Sequence, residues 1–222
     1  MPGSSANIAR RAGRRVLRFA AHVMIVSGLL LICDAGLTFA WQEPISAFTA
    51  GREQATLERE LEDPPPRVIR KEPLRGDAIG KIEFPTLDKS YYIVEGTDTD
   101  SLRKGPGHYP ETPLPGEQGT VAIAGHRTTH GAPFHDVDKL QRGDRIVVSM
   151  PYGKFVYRVQ KTQLVDPSDV WVTDPVGYKR LVLSACHPLY SAAQRIIVFA
   201  RQTARMPAEL RKETSRDVPA SS

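Results

Sequence analysis

The chain has 222 residues, a formal net charge of +5 and two cysteines, Cys33 and Cys186. This length suffices for one domain with appendages. The excess positive charge comes from the arginine-rich first 18 residues, so the rest of the chain gives no indication of a nucleic-acid-binding surface. Composition alone therefore leaves an extracellular, a membrane-bound and an intracellular protein open.

The N-terminal region predicts a membrane anchor. Residues 1–18 carry five arginines and no acid, and residues 19–41 are almost wholly apolar apart from His22 and Asp34. Such a run is long enough to cross the ~30 Å hydrocarbon layer as a helix. Because arginines stay on the cytoplasmic side, we expect residues 1–18 to be a cytoplasmic tail, with everything after residue 41 outside the cell. A cleaved signal peptide is the alternative, but the run exceeds the usual h-region of about 7–15 residues.

Two further segments look like appendages to a central domain. Residues 42–76 are predicted to form an extracellular stalk, in which a charged stretch at 52–63 forms a short surface helix and three prolines follow. Residues 206–222 are polar and are predicted to be a disordered tail. The domain itself is then residues 77–205.

The residue pattern of that domain predicts an all-β fold. Short runs rich in β-branched and aromatic residues alternate with Gly, Pro and Asp clusters, which is typical of a closed barrel or a sandwich. The predicted strands are 80–84, 90–94, 120–124, 144–148, 153–159, 180–184 and 195–199. Short helices are expected near 99–103 and 134–140.

Cys186 ends one predicted strand, and Arg195 begins the next. In an antiparallel pair, the end of one strand lies beside the start of its neighbour, so the two residues can meet at one rim of the sheet. On cysteine statistics alone, a buried inert thiol and a surface arginine remain the plainer interpretation.

His126 closes the strand at 120–124, after Gly125, which we expect to give the backbone freedom at the turn. A neighbouring imidazolium stabilises a thiolate and can later protonate a leaving amine. Arg195 would supply charge and N–H donors to a developing oxyanion. We therefore predict Cys186 as nucleophile, His126 as general acid and base, and Arg195 as stabilising group.

The other histidines are weaker candidates. The run "HRTTH" at 126–130 lacks the Glu of HExxH, and Gly131 and Pro133 oppose a helix, so we expect no metal site. His187 points away from Cys186 if its strand continues, which favours a structural role. Tyr109 lies in a loop rich in glycine and proline and could line a substrate groove.

The segment "GPGHYPETPLPGEQGTVAIAGHRTTHGAPFHDVDKLQRGD", a later strand ending in Cys and an Arg opening the next strand resemble the sortases. These are membrane-anchored cysteine transpeptidases of Gram-positive bacteria, and class E of high-GC species is the most similar. The resemblance covers residues 77–201 and implies an eight-stranded β-barrel. It also implies that His126, Cys186 and Arg195 are the catalytic triad.

By the same resemblance, Tyr109 corresponds to a tyrosine linked in class E to a preference for LAXTG over LPXTG signals. One departure is Ala185, because sortases usually have Thr directly before the cysteine. A role of that hydroxyl would be lost or shifted to Ser184. Ser184 and His187 are, with Tyr109, the candidate substrate contacts.

The resemblance implies cleavage of a sorting signal between Thr and Gly, followed by transfer of the surface protein to an amine of a peptidoglycan precursor. No metal or organic cofactor is required by this chemistry. Two alternatives stay open from the sequence: an anchored cysteine endopeptidase that only hydrolyses its substrate, and a non-catalytic barrel that binds wall components.

Overall fold

The computed structural model describes residues 4–207, and the chain divides into two compact units, residues 1–45 and 46–222. Helix α1, Ser4–Glu62, begins in the first unit. Within it, Leu17–Asp34 has a mean hydropathy of 1.7, and among the described residues it is the single stretch long and apolar enough to cross a membrane. Its large apolar side chains are exposed, for example Phe19 at 72%. The predicted anchor is consistent with this stretch.

The second unit is a closed barrel of eight strands, as the sequence predicts. The strands are β1 (Ala78–Phe84), β2 (Lys89–Glu95), β3 (Gly107–His108), β4 (Thr120–Ala124), β5 (Arg145–Met150), β6 (Gly153–Val165), β7 (Arg180–His187) and β8 (Gln194–Met206). Around the barrel they follow the order β1-β2-β3-β4-β7-β8-β6-β5. The short helices are α2 (Pro66–Ile69) and α3 (Thr99–Lys104), with 3-10 turns at Pro85–Leu87, Val137–Lys139 and Val170–Thr173.

The barrel interior is filled by one face of every long strand. Apolar residues alternate along the strands, so that every second side chain points inward. The fully buried side chains include Ile82, Phe84, Ile93, Ile123, Ile146, Phe155, Tyr157, Leu181 and Leu183. Because this core fixes the inward face, it also fixes which residues of the same strands point outward.

The last part of α1 is packed on the barrel, which differs from the stalk predicted for residues 42–76. Leu57 is 1% exposed. The Gln54 side-chain amide donates to the carbonyls of Tyr92 (3.1 Å) and Lys104 (2.8 Å), while its oxygen accepts from the Tyr92 N–H at 2.7 Å. The amide thereby covers backbone groups of β2 where β3 is too short to pair with it.

Most predicted elements are present, with shifted ends. All seven predicted strands form, whereas the two-residue β3 was not predicted because it is too short to produce a pattern. The helix expected at 99–103 is α3, while the one expected at 134–140 is reduced to the 3-10 turn Val137–Lys139. Strand β8 continues to Met206, and residues 208–222 of the predicted tail lie outside the described residues.

Candidate active site

Strands β7 and β8 place Cys186 directly opposite Arg195. The two strands are antiparallel, and their register pairs these two residues. Side chains of directly opposite residues project from the same side of a sheet. The juxtaposition predicted from the spacing of the two residues is therefore present, and the two side chains share one face.

Strand β4 places His126 beside the end of β7. It runs parallel to β7, with Ala124 beside Ser184, and the Gly125 N–H donates to the Ser184 carbonyl at 3.0 Å. Each of Ala124 and Ser184 is followed two residues later by a candidate, His126 and Cys186 respectively. In this register, His126 follows β4 at the level of Cys186, beside the end of β7.

Gly125 has a different role from the predicted one. It is not among the glycines with positive φ, so the expected freedom of the turn was the wrong reason for a glycine. A Cβ at this position would lie 2.6 Å from ring atoms of Phe134, which is fully buried. The glycine lets the Phe134 ring close the barrel core directly beneath the turn that carries His126.

Alternation along β7 separates the residues around Cys186 into two faces. Leu183 and Ala185 belong to the barrel core, and Ala185 is 3% exposed. Val182 belongs to a second apolar cluster on the outer face, where alternation also places Ser184 and Cys186. The position at which sortases usually carry Thr therefore faces the interior, on the side opposite the thiol.

The outer face of β4, β7 and β8 is the floor of a groove with a volume of about 650 Å³. Its apolar floor is built by Ala122, Val182 and Ile197, and the loop between β6 and β7 forms one wall with Val170 and Val172. The groove lining includes three of the predicted site residues, namely Tyr109, Ser184 and Arg195. Cys186 continues the same face of β7 two residues beyond Ser184.

The Arg195 side chain is held by the loop that joins β7 to β8. Its Nη1 donates to the carbonyls of Ala192 and Gln194, both at 3.1 Å. The strand thus places the residue at the groove, while the loop carbonyls set the direction of the guanidinium. These bonds are partly exposed to solvent and are easily exchanged for bonds to a ligand.

Burial lowers the pKa of His126 below its usual value of 6.5, and the neighbouring His130 lowers it further. The ring centroids of His126 and His130 are 5.0 Å apart. The pKa of His130 is itself lowered by burial and by Arg103. This environment favours the neutral imidazole of His126 in the free enzyme, so the thiolate–imidazolium pair expected from the sequence is opposed by burial.

A buried arginine that the sequence did not predict as a site residue lies next to His126 along the chain. Arg127 is 3% exposed and pairs with Asp138 at 3.0 Å. It also donates to the carbonyl of His135 at 3.1 Å and to Nδ1 of His187 at 3.2 Å. Because a guanidinium only donates, His187 accepts through Nδ1. The residues following His126 and Cys186 are thus bonded to each other.

Through this bond, the imidazole of His187 contacts the buried Arg127. It does not line the groove, so the structure does not bring it together with Tyr109 and Ser184 as a substrate contact. The only sequence signal for Arg127 was its place directly after His126. Among the described residues, no group of three or more His, Cys, Asp or Glu side chains is arranged to hold a metal ion.

The fold and this site define a class of protein, closed eight-stranded β-barrels in which a cysteine and an arginine lie opposite each other on neighbouring strands. The sortase domain family matches residues 82–203, and the chain belongs to the sortase family. The resemblance to sortases, and to class E in particular, is confirmed.

Similar proteins come from several bacteria. Sortase D of Bacillus subtilis is 35% identical over 59% of this chain, and sortase SrtE1 of Streptomyces coelicolor is 30% identical over 90% of it. The matched regions span 66% and 61% of those two proteins. The crystal structure of sortase E1 from S. coelicolor with a tripeptide in the active site has a TM-score of 0.56, at 30% identity, covering 60% of this chain and 91% of that one.

Proposed function

We propose that the protein is a membrane-anchored transpeptidase that cleaves an LAXTG- or LPXTG-type sorting signal between Thr and Gly and transfers the new carboxyl end to an amine. The observation that carries the proposal is the pairing of Cys186 with Arg195 at the end of the groove, with His126 following the neighbouring parallel strand. Membership of the sortase family supports the reaction class. The tripeptide bound in the active site of a similar sortase supports a peptide substrate.

In the first half of the reaction, His126 takes the proton of the Cys186 thiol, and the sulfur attacks the Thr carbonyl carbon and forms a carbon–sulfur bond. Arg195 leaves the carbonyls of Ala192 and Gln194 and stabilises the negative oxygen of the tetrahedral intermediate. The intermediate collapses when the carbon–nitrogen bond breaks and His126 gives a proton to the leaving Gly amine. The product is a thioester between the surface protein and Cys186.

In the second half, an amine attacks the thioester and His126 accepts its proton. The carbon–sulfur bond breaks, an amide forms, and Cys186 is restored. The proposed acceptor is the amine of a peptidoglycan precursor, so that the product is a surface protein joined to the cell wall. No step of this reaction requires a metal or an organic cofactor.

The groove supports an extended peptide as the substrate. Its floor is apolar and its two walls come from loops on either side of β4 and β7. A peptide that lies along this floor with its Thr–Gly bond at the end nearest Ser184 has its carbonyl carbon beside Cys186. Tyr109 lines the wall on the β4 side and is the proposed contact for the residue that distinguishes LAXTG from LPXTG.

The apolar stretch Leu17–Asp34 supports attachment to the membrane. We propose a single span with residues 1–18 in the cytoplasm and the barrel outside the cell, because arginines lie before the span. Protease added to intact cells should then degrade the barrel and spare an epitope placed at the N-terminus. Protection of the barrel in intact cells would contradict the orientation.

The reaction is tested with the full chain in detergent micelles, an LAXTG peptide and triglycine. We expect a ligated peptide, identified by mass spectrometry, from the wild type and none from Cys186→Ala. Cleavage without ligation at high triglycine would support a hydrolase instead. Failure of both, together with wall binding that Cys186→Ala leaves intact, would support a non-catalytic barrel.

A further inference from the structure

A buried pair of ionisable side chains lies between β2 and β3, outside the groove lining. Glu95 is 4% exposed and His108 is 1% exposed. The two residues are register partners in the parallel pairing of these strands, and Nδ1 of His108 lies 2.9 Å from a carboxylate oxygen of Glu95. Buried ionisable groups are costly unless paired, and nothing in the proposed chemistry uses these two.

The protonation of this pair follows from its partners. Nε2 of His108 lies 3.1 Å from the backbone carbonyl oxygen of Pro113. A carbonyl oxygen only accepts, so Nε2 carries a proton. The hydrogen bond between Nδ1 and the Glu95 carboxyl then contains a second proton, carried either by Nδ1 or by the carboxyl oxygen. Both ring nitrogens are bonded, and the ring is fixed in one orientation.

Through the ring, the pair holds the segment that forms one wall of the groove. The hydroxyl oxygen of Thr112 lies 3.1 Å from Nε2 of His108. The same hydroxyl donates to the Tyr109 carbonyl at 2.8 Å and accepts from the Ala122 N–H at 3.2 Å. Tyr109, Thr112, Pro113 and Ala122 all line the groove. One buried ring thus ties the start and the end of this wall together.

We propose that Glu95 and His108 are positioning residues for substrate selectivity, holding Tyr109 and Thr112 as a rigid wall that distinguishes Ala from Pro at the second position of the sorting signal. The inference rests on the proposed function. Tyr109 touches the substrate, and the pair acts through it. A wall with a fixed backbone rejects the wrong side chain, whereas a wall that can yield accepts both.

A merely structural pair has a different signature. Loss of such a pair lowers the stability of the fold and changes kcat/KM for both peptides by the same factor. The positioning role changes the ratio of kcat/KM for an LAXTG peptide to that for an LPXTG peptide. It acts mainly through KM, because Cys186 and His126 are not displaced.

The experiment measures both peptides with the full chain in micelles and triglycine as acceptor. We expect His108→Ala and Glu95→Ala to reduce the selectivity ratio by about tenfold, the scale of one methylene group in a pocket. Glu95→Gln should keep most of the selectivity, since an amide can donate to the neutral ring or accept from the charged one. Thr112→Val should lose selectivity while leaving the buried pair intact.

Asp77→Asn is the matched control. Asp77 forms a bidentate pair with Arg67, at 2.7 and 2.8 Å, and neither residue lines the groove. Loss of the Asp77–Arg67 pair should lower the thermal unfolding midpoint without changing the selectivity ratio. Unfolding is measured for every variant, and Thr112→Val and Glu95→Gln decide the matter if His108→Ala does not fold.

A double-mutant cycle separates action through Tyr109 from a direct effect. In a Tyr109→Ala background, His108→Ala should change the ratio no further. Equal losses for both peptides, or an undiminished effect in that background, would overturn the inference while leaving the proposed function standing. Absence of turnover by the wild type with either peptide would instead overturn the proposed function, and the inference with it.

Discussion

Cys186 lies directly opposite Arg195 across β7 and β8, yet the Arg195 guanidinium is bonded to the carbonyls of Ala192 and Gln194. The strand fixes where the arginine begins, and the loop fixes where its charge points. For the charge to reach an oxyanion beside Cys186, these two bonds must be exchanged. In the proposed mechanism, the strand places the arginine at the site, and substrate replaces the two carbonyls as its bonding partner.

The first prediction concerns this exchange. Arg195→Ala should lower kcat for ligation by about 10²–10³-fold, the usual loss for one oxyanion donor, and Arg195→Lys should recover part of it because the charge remains. The thermal unfolding midpoint should hardly change, since the lost bonds are partly exposed. Arg201→Ala, also on β8 and exposed, is the control. A wild-type kcat in Arg195→Ala would remove the arginine from the mechanism.

Alternation and turn residues predicted where the strands lie, because one face of each strand is committed to the core. They did not predict that β4 runs parallel to β7, since strand pairing across about sixty residues leaves no local pattern. Cys186 and Arg195 were foreseeable as neighbours because one short connection joins their strands. His126 was foreseeable at the end of its own strand, but that β7 is the neighbouring strand was not.

The second prediction concerns Ala185, where sortases usually carry Thr. Its side chain faces the barrel core, so a hydroxyl added there meets apolar neighbours and not the substrate. Ala185→Thr should lower the free energy of unfolding by about 1–3 kcal/mol, as overpacked cores do, with little gain in kcat. Chemical denaturation and ligation kinetics check the two parts.

Ser184→Ala is the comparison, because Ser184 lines the groove. It should change KM for the peptide and leave stability nearly unaltered. If Ala185→Thr instead raised kcat severalfold, the side chain at this position would have to reach the reacting carbonyl from the core side, contrary to the alternation along β7.

The third prediction concerns pH. The pKa of His126 is lowered by burial and by His130, so the neutral imidazole that takes the thiol proton becomes more abundant as pH rises through that lowered pKa. His130→Asn removes one cause, and the pKa of His126 should rise. The corresponding limb of the kcat/KM profile should move to higher pH, measured between about pH 5 and 8.

Arg103→Gln serves as the graded control for this shift. Arg103 lowers the pKa of His130, so its effect on His126 passes through a second ring and should be smaller. Movement of the limb to lower pH in His130→Asn would show that His130 supports the imidazolium of His126 instead of opposing it.

Buried polar networks were the part of the site least visible in the sequence. Arg127, His187 and His108 each gain their role from partners that are far away along the chain. Polar residues in such positions look like surface residues until the fold brings their partners close. All three directly follow or precede a predicted site residue, namely Arg127 after His126, His187 after Cys186 and His108 before Tyr109, so the chain neighbours of a predicted site residue merit inspection.

The last prediction separates a packed helix from a spacer. If the end of α1 is part of the barrel unit, Leu57→Ala should lower the free energy of unfolding by about 2–5 kcal/mol, because Leu57 is fully buried. Gln54→Ala should also destabilise the unit, since it leaves backbone groups of Tyr92 and Lys104 without their bonds. Glu53→Ala, on the exposed side of the same turn, should be neutral. Denaturation of the full chain in micelles measures all three, and equal midpoints for Leu57→Ala and Glu53→Ala would mean that this segment is a free stalk in solution.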